Sequence, residues 1–300
     1  MNDQQSSYGS QVAMSAPVSV CALLTCFNRV EKTMACLAAL EVAAKKADVE
    51  LCAVLVDDGS SDGTAQQVRQ RFAWVQVEVN VGAPLFWCRG MHRAMQLAFE
   101  RRPELLLLLN DDTVLFEDAL STLIDCLAQG GADQRLAIAV GSTCDATTGA
   151  QSYGGSRRIS RWRPMTFVRV APTEKPQDLD TFNGNVVLIP TAVVERIGLI
   201  DGTFEHAMGD IDYGLRARRA GIAVRLAAGF QGACSNNPVR GTHGDSTLPL
   251  SRRWQLMLSR KGLPWRSWAR LTRRHAGLGW PLYFAWPYFK LLLSGLSRRG

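Results

Sequence analysis

Three short acidic strings hold the residues best suited to chemistry. The first, Asp57-Asp58-Gly59-Ser60-Ser61-Asp62-Gly63-Thr64, directly follows the apolar run Leu51–Val56. Carboxylates leaving a buried strand face a ligand crevice, and the two glycines permit tight turns and close ligand approach. An Asx turn with a helix cap from Ser61 or Asp62 explains part of the string, but not the adjacent Asp57 and Asp58. The second, Asn110-Asp111-Asp112-Thr113, follows five consecutive leucines. Two neighbouring carboxylates repel unless a cation neutralises them, and hard oxygen donors select Mg2+ or Mn2+. Such an ion, bridging two phosphates, stabilises a departing nucleoside diphosphate. A helix cap by Asp112 is the simpler alternative. The third, Gly209-Asp210-Ile211-Asp212-Tyr213-Gly214-Leu215-Arg216, reads as the opening of a helix. There Asp210 is oriented by backbone N–H groups and fits a general base for an acceptor hydroxyl, whereas Asp212 and Arg216, at i and i+4, suit a structural ion pair.

The elements that must position these strings follow from hydrophobic periodicity. Strands are expected at Val18–Thr25, Leu51–Val56, Val75–Val79, Leu105–Leu109 and Leu136–Val140, with helices over Arg29–Ala44, up to about Arg71, and over Gly90–Glu100 and Phe116–Ala128. That alternation implies an α/β fold with a doubly wound, mainly parallel sheet, whose ligands bind beyond the carboxyl ends of the strands. After Gly141 the pattern breaks into Gly-, Thr- and Arg-rich segments expected to be hairpins and loops over a site. Regularity returns at Thr181–Pro190, at a helix near Asp210–Ala220 and at a strand Ala223–Leu226. The chain is expected to divide into a flexible terminus (1–16), a catalytic domain (17–245) and a basic C-terminal extension (246–300).

Composition narrows the function classes. An apolar fraction of 47% is that of a globular core and argues against disorder. The net charge of +7 is uneven: residues 251–300 hold eleven Lys/Arg and no Asp or Glu, which leaves −4 on residues 1–250. Five of the eight tryptophans also lie in that tail, and indoles among cations suit an anionic lipid surface. A helical hairpin packed on the domain is the competing expectation for 251–300. The stretch Trp280–Leu293 is short for a membrane span. No nucleic-acid module accompanies the charge, so nucleic acid is not an expected partner. Residues 1–16 lack the apolar stretch of a secretory signal, so a cytoplasmic location is expected, with contact to the inner face of the membrane through the tail. The eight cysteines show no metal or redox spacing and read as buried thiols.

Taken in order, a strand-end acidic pair, an Asn-Asp-Asp about fifty residues later and an acidic helix start about a hundred residues further resemble the family 2 glycosyltransferases, whose fold is GT-A. The resemblance spans roughly residues 17–240. It implies that Thr25, Phe27, Asn28 and Arg29 line a nucleotide pocket and that Asp57 and Asp58 contact the base or ribose. The family's DxD falls on Asn110-Asp111-Asp112, which makes Asp112 the principal metal ligand, with Asn110 and Asp111 beside the nucleotide. Asn80-Val81-Gly82 matches a short N-x-G element. The following Phe86-Trp87-Cys88-Arg89-Gly90-Met91 resembles a subgroup signature, F-W-x-x-G-M, with Trp87 near the donor and Arg89 at the diphosphate. Gly209-Asp210 stands where the family has its Glu-Asp, which keeps the catalytic base but not the preceding Glu. Cys234 takes the place of a His used by some members on metal or diphosphate, and His243 is the residue expected to replace it. Asn183 and Gly184, with Gly209, fall where the family contacts donor sugar and acceptor.

The implied activity is inverting transfer of a sugar, with Mn2+ or Mg2+, from a UDP- or dTDP-linked donor to a glycan or lipid-linked glycan. The subgroup is similar to bacterial transferases of surface-polysaccharide assembly, some using a deoxyhexose such as rhamnose. Three other readings stand beside it. A dinucleotide-dependent oxidoreductase would need a G-x-G-x-x-G loop where Thr25-Cys26-Phe27-Asn28-Arg29 stands. A nucleotidyltransferase would have a Gly-rich, basic first loop. An inactive sugar-nucleotide or lipid-binding module would tolerate Asn110 and the missing Glu and His.

Overall fold

The computed structural model describes residues 17–129, 136–235 and 240–296; the terminus 1–16, expected to be flexible, lies outside the described residues. The first half lays down β1 (Ser19–Cys26), α1 (Val30–Ala47), β2 (Glu50–Asp57), α2 (Thr64–Arg71), β3 (Val75–Val79), α3 (Phe86–Phe99), β4 (Leu105–Leu109) and α4 (Ala119–Ala128). The second adds β5 (Ala137–Val140), β6 (Gln177–Asp178), β7 (Val186–Pro190), α5 (Thr191–Ile197), α6 (Gly209–Arg219) and β8 (Ala223–Leu226). These strands form one sheet in the order β6-β8-β5-β7-β4-β1-β2-β3. β1 pairs in parallel with β2 and β4, as do β2 with β3 and β5 with β8; β7 and the edge strand β6 run the other way. The sheet is therefore mainly parallel, with helices on both faces. From β1 the chain winds outward through β2 and β3, then returns to place β4 on the other flank of β1. The crevice at such a reversal is where open α/β sheets take ligands.

The five leucines of β4 are all buried and alternate between two cores. Leu106 and Leu108 join the cluster under α3 and α6, while Leu105, Leu107 and Leu109 join the one under α1 and α4. A strand covered on both faces has no polar positions, which is why it reads as an unbroken apolar run. Beyond the sheet, the irregular segment after Gly141 contributes to two small sheets of short strands, one including Gly155–Arg158 and Thr181–Phe182, the other joined by Val114–Leu115.

The C-terminal residues form three helices, α7 (Leu250–Leu258), α8 (Trp265–His275) and α9 (Trp280–Leu296). They are packed on the domain: Trp268 and Leu271 belong to the core under α6, with Leu263, Phe284 and Tyr288 against it. The polar anchor is Asp212, fully buried on α6. It accepts from Arg216 Nε (2.8 Å), from Arg274 (2.7 and 2.8 Å) and pairs with His275 Nε2 (2.8 Å). Arg216 also donates to the carbonyls of Ile197 and Leu199, so the expected i,i+4 pair is present but is one part of a larger hub. Arg270 and Arg274 meet Asp201 in the loop before α6. Among the described residues, no helix is long and apolar enough to cross a membrane.

Burial alone would raise the pKa of Asp212, but His275, Arg274 and Arg216 outweigh it and hold the carboxyl below its ordinary range. A depressed folded-state value stabilises the fold above the ordinary carboxylate pKa, and this contribution fades as pH falls towards the folded value. Asp212→Asn leaves the arginines and the imidazole facing a neutral amide and is expected to cost about 3–5 kcal/mol. Urea unfolding checks this at pH 7. The gap between variant and wild type should narrow as the buffer is made more acidic.

Candidate active site

The carboxyl ends of β1, β2 and β4 bring the first two acidic strings together. Asn28, in a left-handed conformation (φ 51°), accepts from the Ser61 N–H (2.8 Å), and its own N–H donates to Ser60 Oγ (2.9 Å). Asp62 accepts from the N–H groups of Val30 and Thr64, which begin α1 and α2. The Asx turn expected in that string is thus realised at Asp62, while the N-cap of α2 is Gly63, with no side-chain cap. Asp57 is buried, with Oδ1 accepting from Ser60 N–H while Oδ2 has no partner. The Asp58 carboxylate accepts from Asn80 Nδ2 (2.7 Å) and from the N–H groups of Leu85 and Phe86. That bond set fixes the start of α3 at Phe86, four residues before the expected Gly90, because an anion at a helix N-terminus satisfies otherwise orphaned N–H groups. Phe86 takes a left-handed φ of 58° at this joint.

A cavity of about 460 Å³ opens above these ends. Thr25, Phe27, Arg29 and Asp58 line one side, Phe86 and Trp87 another, with Asp111 at the base and His206 and Lys261 at the rim. Phe27 is more than half exposed, an unusual state for a large apolar ring and one suited to stacking on a planar ligand. Asn110 Oδ1 accepts from the Trp87 indole (2.7 Å), which holds the ring across the cavity floor. A single Arg29 nitrogen, Nη1, bridges Asp111 (3.2 Å) and Asp112 (3.0 Å). Burial, opposed by Arg29 and reinforced by Asp112, lifts the Asp111 pKa to about 6, and its Oδ2 is buried without a partner.

The third string enters from behind Trp87. Asp210 opens α6, where its carboxylate accepts from the N–H groups of Gly184 (3.1 Å) and Ile211 (2.8 Å) and from the Asn183 side chain. Burial raises its pKa above the ordinary carboxylate range against the pull of those donors. Two glycines make the approach feasible. A Cβ on Gly184 would stand 2.5 Å from the Trp87 ring, and one on Gly209 would stand 2.2 Å from Cys88 Sγ. Trp87, Asn183, Gly184 and Asp210 therefore form one contact group.

Two expected members stand elsewhere. Arg89 pairs with Glu205 (3.6 Å) and lines a separate cleft of about 690 Å³ between β3 and α3, because the turn of α3 that carries Trp87 inward carries Arg89 outward. His243 makes no hydrogen bond or ion pair with Asp112 and sits instead on the wall of a second cavity, with Phe86 and His206. Beside Asp112 is Cys234, whose thiol donates to Oδ1 (3.6 Å) and whose pKa is pushed up to about 11 by burial and by that carboxylate. His206 and Lys261 were missed from the sequence; a lone loop His and one Lys in a basic tail carry no spacing signal.

Among the described residues no cluster of three or more His, Cys, Asp or Glu forms a ready-made metal cage. The orphaned Asp111 Oδ2 and the carboxylate pair held by one guanidinium nevertheless fit a hard divalent ion of the kind that takes one or two protein carboxylates and completes its shell with phosphate oxygens and water.

Comparison with known proteins bears on the family and the fold. The glycosyltransferase like family 2 profile matches residues 17–231. The chain belongs to that family. Its fold is GT-A. A mannosyltransferase from Pyrobaculum calidifontis, solved with GDP-Man and Mn2+, superposes with a TM-score of 0.53 at 16% identity, over 94% of this chain and 74% of its own. GalNAc-T7, solved with UDP, GalNAc and Mn2+, gives 0.52 at 11% identity, over 85% of this chain and 51% of its own. No curated protein sequence matches the transferase. At these identities the two structures establish the shared fold.

The tight Gly184–Trp87 contact gives a direct check of the floor. Gly184→Ala pushes the indole off Asn110 and is expected to lower turnover on the order of a hundredfold, as small misplacements of positioning groups do. Steady-state kinetics beside thermal unfolding separates this from a loss of fold, since the melting temperature should move little.

Proposed function

We propose that the chain is an inverting glycosyltransferase that moves a sugar from a nucleotide-sugar donor, UDP- or dTDP-linked, to an acceptor hydroxyl in cell-surface polysaccharide or lipopolysaccharide assembly. The observation that carries the reading is Trp87, which lines the cavity with Asp111, bonds Asn110 next to the Asp111–Asp112 pair, and packs on Gly184, whose N–H holds the Asp210 carboxylate. In this reading the base or ribose lies along Phe27, Asn28 and Asp58, and the diphosphate lies towards Arg29 and Asp112. Bound Mn2+ or Mg2+ would neutralise the leaving diphosphate as a Lewis acid, held by Asp112 with Asp111 beside it.

The protein's own groups account for the rest. Asp210 takes the proton of the acceptor hydroxyl, whose oxygen forms the bond to the anomeric carbon as the bond to the diphosphate oxygen breaks. The diphosphate leaves with that electron pair, so the anomeric configuration inverts and no covalent enzyme intermediate forms. Gly184 and Ile211 N–H groups aim the carboxylate, and partial burial makes it a stronger base than a solvated aspartate. The pocket's aromatic walls limit water, which would otherwise compete as acceptor.

Asp210→Asn is expected to abolish transfer while nucleotide affinity stays within about twofold, since the residue acts on the acceptor proton. Loss of binding together with rate would remove Asp210 from that role. Because the ionised form is the base and its pKa is raised, the acid limb of kcat/KM should lie above the ordinary carboxylate range in a pH–rate profile. Calorimetric titration with UDP, dTDP and GDP, each with and without Mn2+, names the donor class; Asp112→Ala should erase the Mn2+-dependent part of the affinity.

The tail supports a peripheral membrane contact, which would suit a lipid-linked acceptor and a cytoplasmic enzyme working at the inner face of the membrane. The inner face of α9 packs through Phe284, Tyr288 and Leu291, whereas Leu282, Trp286, Phe289, Leu292 and Leu293 are exposed on the opposite side, with Leu278 just before the helix. Arg266 and Arg273 of α8 and Lys290 of α9 are exposed as well, and residues 251–300 contain no Asp or Glu. Apolar side chains flanked by cations match an anionic bilayer surface. Flotation with vesicles containing phosphatidylglycerol should carry the wild type, and phosphatidylcholine vesicles should not. Trp286→Glu combined with Leu282→Glu should abolish flotation.

A further inference from the structure

Beside the donor cavity lies a second chamber of about 390 Å³ whose walls come from two segments that the donor reading does not use, the loop 241–243 and the turn between α7 and α8. The two cavities meet at Phe86, His206 and Lys261, which line both. The second differs in charge. Arg260, Lys261, His206 and His243 stand on its wall, and no carboxylate does. None of the residues 25–29, 57–58 or 110–112 borders it, so a ligand there would not occupy the nucleotide's place.

This wall is held in position. Arg260 stacks on the Phe86 ring (4.3 Å) and pairs with Glu205 (3.0 Å). The turn itself is tight, since a Cβ on Gly262 would lie 2.4 Å from the Leu256 carbonyl oxygen. On the opposite side, Arg253 of α7 donates to the His243 carbonyl (2.9 Å) and to Ser294 Oγ of α9 (3.1 Å), tying the chamber to the helix with the exposed apolar face. Against this fixed frame, Lys261 makes no ion pair or hydrogen bond among the described residues, and His206 Nδ1 is buried without a partner. Burial, with Lys261 and Arg29 nearby, depresses the His206 pKa, and burial with Arg253 nearby depresses that of His243, as a surplus of positive charge requires.

We propose that this chamber binds a phosphate ester carried by the acceptor, with Lys261 as its charge partner and His206 and His243 as neutral hydrogen-bond donors. The assignment rests on the donor reading of the neighbouring cavity, because only then is the second chamber on the acceptor side. It gives the C-terminal helices a specific task, the recognition of an anionic acceptor such as a lipid phosphate whose chain leaves towards the membrane. A compact ammonium on a flexible stem is well suited to a phosphate that must enter and leave.

The test uses the full chain and ligand-observed phosphorus NMR with three probes, namely hexyl phosphate, inorganic phosphate and UDP. Hexyl phosphate should bind both with and without saturating UDP, and more tightly than inorganic phosphate. Lys261→Gln and His243→Gln should each weaken hexyl phosphate about tenfold, as expected for loss of a charged or buried hydrogen bond, while UDP affinity in His243→Gln stays unchanged. Displacement of hexyl phosphate by UDP would overturn the proposal by placing the ester in the donor cavity. Equal binding of inorganic phosphate would overturn the ester assignment, and undiminished binding in both variants would overturn the site. Should UDP, dTDP and GDP all fail to bind while hexyl phosphate still depends on Lys261, the donor reading falls and the anion site remains.

Discussion

The structure depends on one buried charge. Asp212 sits without solvent on the helix that carries Asp210, and its carboxylate is matched by Arg216 from the same helix and by Arg274 and His275 from α8. A carboxylate so placed is tolerable only when several donors surround it, and removing any one exposes the cost of desolvating the rest. The consequence is geometric as well as energetic. The helix with the proposed base cannot rotate or slide without breaking bonds to the C-terminal helices, so the placement of Asp210 depends on residues more than sixty positions away.

The same hub explains how a tail of unusual composition becomes part of the site. Once α8 is pinned to α6, Trp268 and Leu271 complete the core beneath it, and the turn before α8 is carried to the cavity lined by Phe27, Trp87 and Asp111. The tail's basic residues therefore divide by task. Arg274 and Arg270 neutralise buried or half-buried acids, Arg260 and Lys261 border the cavities, and Arg266 and Arg273 lie over Trp265 and Trp280. Net charge alone predicts none of this division.

Much of the fold was legible in the sequence, because strands buried on both faces and amphipathic helices leave strong periodic signals. β3, β4 and β8 fall where the spacing predicts them. The start of α3 did not, since it is set by a long-range bond set from Asp58 to Leu85 and Phe86 and not by local propensity. At the site, the order of the acidic strings singled out Asp58 and Asp111, which line one cavity, and Asp210, which is joined to it through Gly184 and Trp87. What it concealed was the partner of each. Arg29 as the internal counter-ion of Asp111 and Asp112, Cys234 against Asp112, and Lys261 at the rim all arise from contacts between segments far apart in the chain. Of the two readings of the tail, the packed hairpin accounts for the inner face of α9, whereas its outer face is exposed and belongs to the proposal of a lipid-facing surface.

The docking of α8 also has a consequence for how the protein is made. Synthesis proceeds from the N-terminus, and α8 emerges after every element it covers. Until then Asp212 lacks the charge of Arg274 and the hydrogen bond of His275, and the core beneath α6 lacks Trp268 and Leu271, so the nascent chain presents an acid matched by Arg216 alone beside open apolar surface. Such partly built intermediates are the species that associate wrongly or recruit chaperones. The order of elements along the chain thus acts as a timer: the cavity above β1 and β4 acquires its last wall, and α6 its final lock, only when the ribosome has released the helices that supply them.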